Sequence, residues 1–202
     1  MTMLGESGYE RQEDDFYRTP AWCTKALLDT LPWNLKSRYG NGIWEPAAGD
    51  GAIRDVLEDH GYYVYAFDIN PRAERIEYRD FLTDTQPPWY TSMLITNPPY
   101  KHAEAFIHMA MAMARFRPRY PKNRKDWPRM VAMLLRNEFD SAASRKELFT
   151  GNVYFDTKII LTKRPRWIEG STGSPRHNYA WFVWDFEREI GLRTPPTIRY
   201  AP

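Results

Sequence analysis

Apolar positions along the chain follow two rhythms. Short continuous or alternating runs at Ile43-Trp44-Glu45-Pro46, Tyr62 to Ile69, Met93-Leu94-Ile95-Thr96, Met130 to Leu135, Val153 to Leu161 and Tyr179 to Phe186 have the length and residue types of strands. The run Met130 to Leu135 is apolar throughout, the pattern of a strand buried on both faces. Between these runs the spacing turns helical. Trp22, Ala26, Leu27 and Leu31 share one face, as do Ile53, Val56 and Leu57, and then Phe106, Ile107, Ala110 and Ala114. Thr19 before Pro20 reads as a hydroxyl cap with proline at the first helical position, and Pro32 ends that helix. A weaker strand is expected at Ile76-Glu77-Tyr78, and a short helix over Ser141 to Phe149 with a capping box from Ser144 to Glu147.

Strands alternating with helices, then two strands with no helix between them, predict an α/β fold on a mostly parallel sheet. No internal repeat or linker divides the chain. Its 202 residues read as a tail over 1–15, one domain over 16–190 and a proline-rich surface tail over 191–202. The net charge is +2, so any polyanion must be met by local patches and not by the total. The lone cysteine, Cys23, excludes an internal disulfide and suits a reducing compartment. No apolar run reaches the length of a membrane span, and a soluble cytoplasmic protein with no membrane partner is expected. The 4 histidines are scattered, no His/Cys cluster has metal spacing, and no metal is assigned.

The chemistry concentrates at strand ends. Asn97-Pro98-Pro99-Tyr100 follows Met93-Leu94-Ile95-Thr96, and two consecutive prolines stop that strand stiffly. The tetrapeptide can be a plain turn, or a frame that holds an amide, a carbonyl and a ring against a flat amino-bearing group. Gly49-Asp50-Gly51 lies where a strand becomes a helix, a place where a ligand can approach the backbone closely. Asp68 ends the next strand about twenty residues on, where an acid can accept both hydroxyls of a ribose. Asp80-Phe81 is placed to touch an adenine's amino group and face. A third glycine of the dinucleotide fingerprint and a P-loop lysine are both missing, which argues against NAD and ATP.

These stretches carry a resemblance. Glu45-Pro46-Ala47-Ala48-Gly49-Asp50-Gly51 resembles the cofactor loop of S-adenosylmethionine-dependent methyltransferases, in the variant of amino-methylating nucleic-acid enzymes. Asn97-Pro98-Pro99-Tyr100 is similar to their catalytic loop, and Tyr17-Arg18-Thr19-Pro20 to the motif that closes over the methionine end of the cofactor. Together they look like an N6-adenine DNA methyltransferase, over about Phe16 to Phe186. The resemblance implies a class I, Rossmann-like, seven-stranded sheet of order 3-2-1-4-5-7-6 with strand 7 antiparallel. It implies S-adenosylmethionine as cofactor, held by Tyr17, Thr19, Pro20, Glu45, Pro46, Ala47, Gly49, Asp50, Gly51, Asp68, Ile69, Asp80, Phe81 and Asn97. Asn97, Pro98, Pro99 and Tyr100 are the expected catalytic set.

Adenine's amino group is hidden in a duplex, so a DNA substrate implies base flipping or a single strand. Two basic stretches could meet its phosphates. One holds Arg117, Arg119, Lys122, Arg124 and Lys125; the other holds Lys163, Arg164, Arg166 and Arg176, with Trp167 set to wall a base pocket opposite Tyr100. Each stretch could equally be a solvated surface loop, and Trp167 simple packing. Only sixteen residues follow Phe186, leaving no room for the target-recognition domain of larger relatives. Relaxed or very short specificity, or a partner that supplies it, is therefore expected, as in compact enzymes of phage or prophage origin. RNA adenine, the glutamine of release factors, and a non-catalytic nucleic-acid-binding subunit are the competing readings. The protein-glutamine enzymes usually have an aspartate-leucine-glycine form of the loop, which is absent here. The oligomeric state is not legible.

Overall fold

The computed structural model describes residues 16–32, 34–84, 86–115, 127–168, 174–188 and 195–201. One sheet of eight strands organises them: β1 (Gly42–Glu45), β2 (Tyr63–Asp68), β3 (Glu77–Tyr78), β4 (Met93–Thr96), β5 (Met130–Arg136), β6 (Phe155–Leu161), β7 (Tyr179–Asp185) and β8 (Thr197–Ala201). Their order in space is β3-β2-β1-β4-β5-β7-β6-β8. Strand β7 runs antiparallel to both β5 and β6, and every other pairing is parallel. Five α-helices complete the fold: α1 (Ala21–Thr30), α2 (Leu35–Tyr39), α3 (Ala52–Asp59), α4 (Ala103–Arg115) and α5 (Lys146–Phe149).

Successive side chains of a strand point to opposite faces, and here that alternation divides the interior into two cores. Ile43, Met93, Ile95, Met130, Ala132, Leu134, Trp181 and Val183 face α1 and α3 and pack with Leu27, Ile53 and Leu57. Trp44, Leu94, Val131, Met133, Leu135, Phe182 and Trp184 face the other way, against Phe106 and Ile107 of α4 and Leu148 of α5. Continuous apolarity in β4, β5 and β7 therefore has a simple cause: both faces are covered.

Three sequence expectations change. The stretch after residue 191 is not only a surface tail. Thr197–Ala201 adds an eighth strand parallel to β6, with Ala201 fully buried and Ile198 and Tyr200 exposed. The capping box at Ser144 does not form; Ala143–Arg145 is a 3-10 turn, and α5 starts only at Lys146, preceded by Arg145 without a side-chain cap. Helix α1 begins at Ala21 with no side-chain cap, so the Thr19 hydroxyl is used elsewhere. The tail over 1–15 and residues Arg117, Arg119, Lys122, Arg124 and Lys125 lie outside the described residues.

Strands β1, β4, β5 and β6 all point the same way, so their carboxyl ends share one edge of the sheet. Asn97-Pro98-Pro99-Tyr100 leaves β4 at that edge, where β6 also ends and β7 begins. The residues flanking 116–126 lie elsewhere. Helix α4 starts beside Tyr100–His102 and runs 13 residues away, about 20 Å. Met130 then pairs with Met93 at the start of β4. Arg115 and Trp127 therefore stand at the opposite edge from Asn97.

Candidate functional site

A cavity of about 290 Å³ opens at the carboxyl edge. It is bordered by Tyr17 and Thr19, by Glu45, Pro46, Ala47, Gly49 and Asp50 after β1, by Asp68 and Ile69 after β2, by Asp80 and Phe81, and by Asn97, Pro98, Pro99 and Tyr100 after β4. Segments far apart in sequence meet here because parallel strands all deliver their carboxyl ends to one side. Of the residues expected at the site, Pro20 and Gly51 do not border the cavity. Gly51 has φ +84° and precedes α3, so it makes the turn; Pro20 occupies the cap position of α1.

The loop after β1 is drawn tightly. Gly49 has φ +56°, and a Cβ there would stand 2.5 Å from the Phe16 ring, so only glycine fits. Its N–H donates to Asp68 Oδ2 at 2.7 Å, while Asp68 Oδ1 accepts from Asn70 N–H at 2.7 Å. Two amides thus aim the carboxylate, and its remaining lone pairs stay available for further donors. Asp50 Oδ1 accepts from Ala52 N–H at 3.2 Å, and Asp50 Oδ2 pairs with Arg18 Nε at 2.6 Å, tying the chain before α1 to the loop. Asp80 Oδ1 accepts from Leu82 N–H at 2.9 Å. Phe81 is mostly core, with ring centroids 5.1 Å from Trp44 and 4.7 Å from Phe106.

Glu45 is only 1% exposed, and its Oε2 has no hydrogen-bond partner among the described residues. Burial pushes its carboxyl well above the usual range; Arg54 opposes this, and Asp68 and Asp50 add to it.

Asn97 is the most informative side chain. Its Nδ2 donates to Thr19 Oγ1 at 3.1 Å, and its Oδ1 is buried with no partner among the described residues. A buried acceptor left unsatisfied is costly and calls for a reason. Here the amide is turned so that an acceptor, not a donor, remains for a ligand.

Tyr100 is packed differently from the expectation. Ring centroids of Tyr17, Tyr179 and Trp167 lie 5.8, 5.9 and 6.4 Å from its own. Trp167 also meets Tyr179 edge-on at 4.8 Å and Tyr17 at 6.2 Å. A flat ring sandwiched between two others needs about 7 Å between them, twice an aromatic contact distance. Trp167 therefore does not wall an open slot opposite Tyr100; the aromatic rings fill the space against each other. Burial, and then Tyr179, push the Tyr100 hydroxyl well up.

Of the second basic stretch, Arg164 braces the crossing loop, with Nε on Asn178 Oδ1 at 2.8 Å and a terminal nitrogen on the Pro175 carbonyl at 3.1 Å. Lys163 and Arg176 are exposed on the same loop. Arg166 is also exposed there. Phe16, Arg18, Arg72, Arg79 and His102 border the cavity without having been expected. Arg18 lies inside the Tyr17-Arg18-Thr19-Pro20 motif; nothing in the local sequence marks the other four, which are set by where the chain ends of other strands lie. Among the described residues, no group of three or more His, Cys, Asp or Glu could hold a metal ion, and no helix is long and apolar enough to cross a membrane.

No protein-family model matches the sequence, and no curated protein matches it. Solved structures are similar in shape. A protein from Pyrococcus horikoshii provisionally assigned as an RNA methyltransferase has a TM-score of 0.55 at 12% identity, over 85% of this chain and 87% of its own. A dimethyladenosine transferase from Plasmodium falciparum has a TM-score of 0.54 at 12% identity, over 84% of this chain and 63% of its own. A modification subunit of a provisionally assigned type I restriction enzyme from Vibrio vulnificus has a TM-score of 0.48 at 14% identity over 92% of this chain, which spans 46% of that subunit's length. The fold is the Rossmann-like fold of class I methyltransferases, extended by one strand at the β6 edge.

Proposed function

We propose that this protein transfers a methyl group from S-adenosylmethionine to the N6 amino group of adenine in DNA. The observation that carries the reading is the orphaned Oδ1 of Asn97, an acceptor held in place beside the cavity. An adenine amino nitrogen is a poor nucleophile because its lone pair is delocalised into the ring. Asn97 Oδ1 and the Pro98 carbonyl can accept its two hydrogens and favour the tetrahedral, positively charged nitrogen that forms as a methyl group arrives. Pro98 and Pro99 fix the backbone that presents both acceptors. Tyr100 supplies a ring for the base, a contact worth about 1–3 kcal/mol once Tyr17 and Trp167 make room.

The cavity residues fit the cofactor. Asp68, aimed by Gly49 and Asn70, suits a ribose diol. The unpartnered Glu45 Oε2 is a further acceptor at the same wall. When bound, S-adenosylmethionine supplies an electrophilic methyl group. The chain needs no nucleophile of its own, and Cys23 is buried away from the cavity with its thiol pushed up by burial.

Labelled S-adenosylmethionine supplied with DNA, with RNA and with a release-factor protein tests the reading. Label on N6 of DNA adenine is expected. Label in RNA alone overturns the choice of polymer, and label nowhere, despite nucleic-acid binding, overturns the enzyme.

A further inference from the structure

Arg136 ends β5 at the carboxyl edge, paired across the sheet with Tyr179. Its guanidinium carbon lies 5.9 Å from the centre of the Tyr100 ring, and its side chain is exposed. Among the described residues it has no ion pair or hydrogen bond, only that ring. His177 stands on the neighbouring segment, which is fastened to the end of β5 by Asn137 N–H donating to the Asn178 carbonyl at 2.9 Å. Arg164, anchored on Asn178 and Pro175, flanks it from the β6 side.

The pairing of Arg136 with Tyr179 and of Asn137 with Asn178 brings the end of β5 alongside His177, and four charged groups act on its imidazole: Arg136, Glu138, Arg164 and its neighbour Arg176. Burial first, then Arg136, holds the imidazole below its usual range; Arg176 and Arg164 act the same way and Glu138 opposes them. Three arginines against one carboxylate leave positive charge in excess around the imidazole, and a phosphate would offset it.

We propose that Arg136 and His177 form a seat for a phosphate flanking the target nucleotide. This rests on the nucleic-acid reading above, and it assigns a contact that neither basic stretch of the sequence suggested. A nucleotide carries its phosphates one sugar away from its base. A base brought to Tyr100 would carry its phosphate within reach of Arg136, whose guanidinium stands over that ring. Arg136 sits on a strand, so its fork is placed more firmly than a loop cation, and guanidinium meets phosphate oxygens in pairs. A phosphate beside His177 favours its protonated form, so binding takes up a proton and tightens as pH falls.

The test uses a single-stranded oligonucleotide with one adenine, and a second in which a methylphosphonate removes the charge of a linkage flanking that adenine. Arg136→Gln is expected to weaken binding of the first about tenfold. It should lower the slope of log affinity against log salt by about 1. The neutral linkage should weaken the wild type by a similar factor and the variant little further. Wild-type affinity should fall as pH rises from below the ordinary imidazole value, and His177→Gln should flatten that dependence. Wild-type affinity in Arg136→Gln on the charged strand overturns the seat while leaving adenine methylation standing. So does full multiplication of the two losses, which would mean the arginine and the phosphate act apart. A wild type that binds no oligonucleotide overturns both the seat and the reading beneath it.

Discussion

The amide nitrogen of Asn97 donates to the hydroxyl oxygen of Thr19 at 3.1 Å, joining two residues 78 positions apart. The bond takes up one end of the Asn97 amide. With Nδ2 occupied, the buried Oδ1 is the free acceptor, the polarity needed to take a hydrogen from an amino group. Thr19 is 5% exposed, so the hydroxyl has no competing solvent.

Substituting either residue separates its role from cofactor binding. Asn97→Ala should lower kcat by about 10²–10³-fold, the usual loss when one preorganised polar contact to the reacting centre is removed. Thr19→Val keeps the volume and removes the hydroxyl; kcat should fall by up to about a hundredfold as the amide loses its orientation. Thr19→Ser should restore most of it. Steady-state kinetics at saturating cofactor, with calorimetry for cofactor affinity, check the split. Equal losses in Thr19→Val and Thr19→Ser would show that the hydroxyl does not act through Asn97.

Gly49→Ala tests the tight loop. The new methyl would meet the Phe16 ring at 2.5 Å and force a side chain into the left-handed region at φ +56°. That conformation costs roughly 1–2 kcal/mol for a residue with a Cβ. Cofactor affinity should fall about tenfold or more, as calorimetric titration would read it, while circular dichroism still reports a folded sheet.

The fold was legible because two periodicities recorded which faces are covered. Alternation along β1, β4, β5 and β7 sorts cleanly into the two cores, and the wholly apolar strands are those with helices on both sides. Strand β8 escaped because Thr197–Ala201 is an edge strand, exposed at Thr197, Ile198 and Tyr200 and preceded by Pro195 and Pro196, so it carries little apolar signal. The site was legible where short motifs sit at strand ends, as at Asp68 and Asn97. It was illegible where one side chain is recruited by another across the fold. Thr19 reads locally as a helix cap, and only the meeting of chain ends shows that its hydroxyl serves Asn97. The packing of Trp167 and Tyr17 around Tyr100 is of the same kind.

That packing predicts a spectroscopic signal. Because Tyr17 and Trp167 lie against Tyr100, a base can reach its ring only if they move. Adding an adenine-containing single strand should change tryptophan emission, and Trp167→Phe should remove that change. Trp167 is one of 8 tryptophans, so the change is a fraction of the total signal. An identical response in wild type and Trp167→Phe would mean that Trp167 stays in place.

Glu45 makes stability depend on pH in a direction opposite to most carboxylates. Its folded-state pKa is raised, chiefly by burial, above an unfolded value of about 4.3. The folded protein therefore holds the proton more tightly than the unfolded chain does. The resulting contribution is fully present below the unfolded value and is lost as pH rises through the raised one. Glu45→Gln keeps the shape and cannot ionise. It should remove this component, so that the wild type loses Tm relative to the variant as pH climbs from about 5 toward 9. Thermal unfolding of both proteins across that range, without cofactor, measures the difference. Parallel curves would mean that Glu45 is ionised in the folded protein, with Arg54 outweighing the cost of burial.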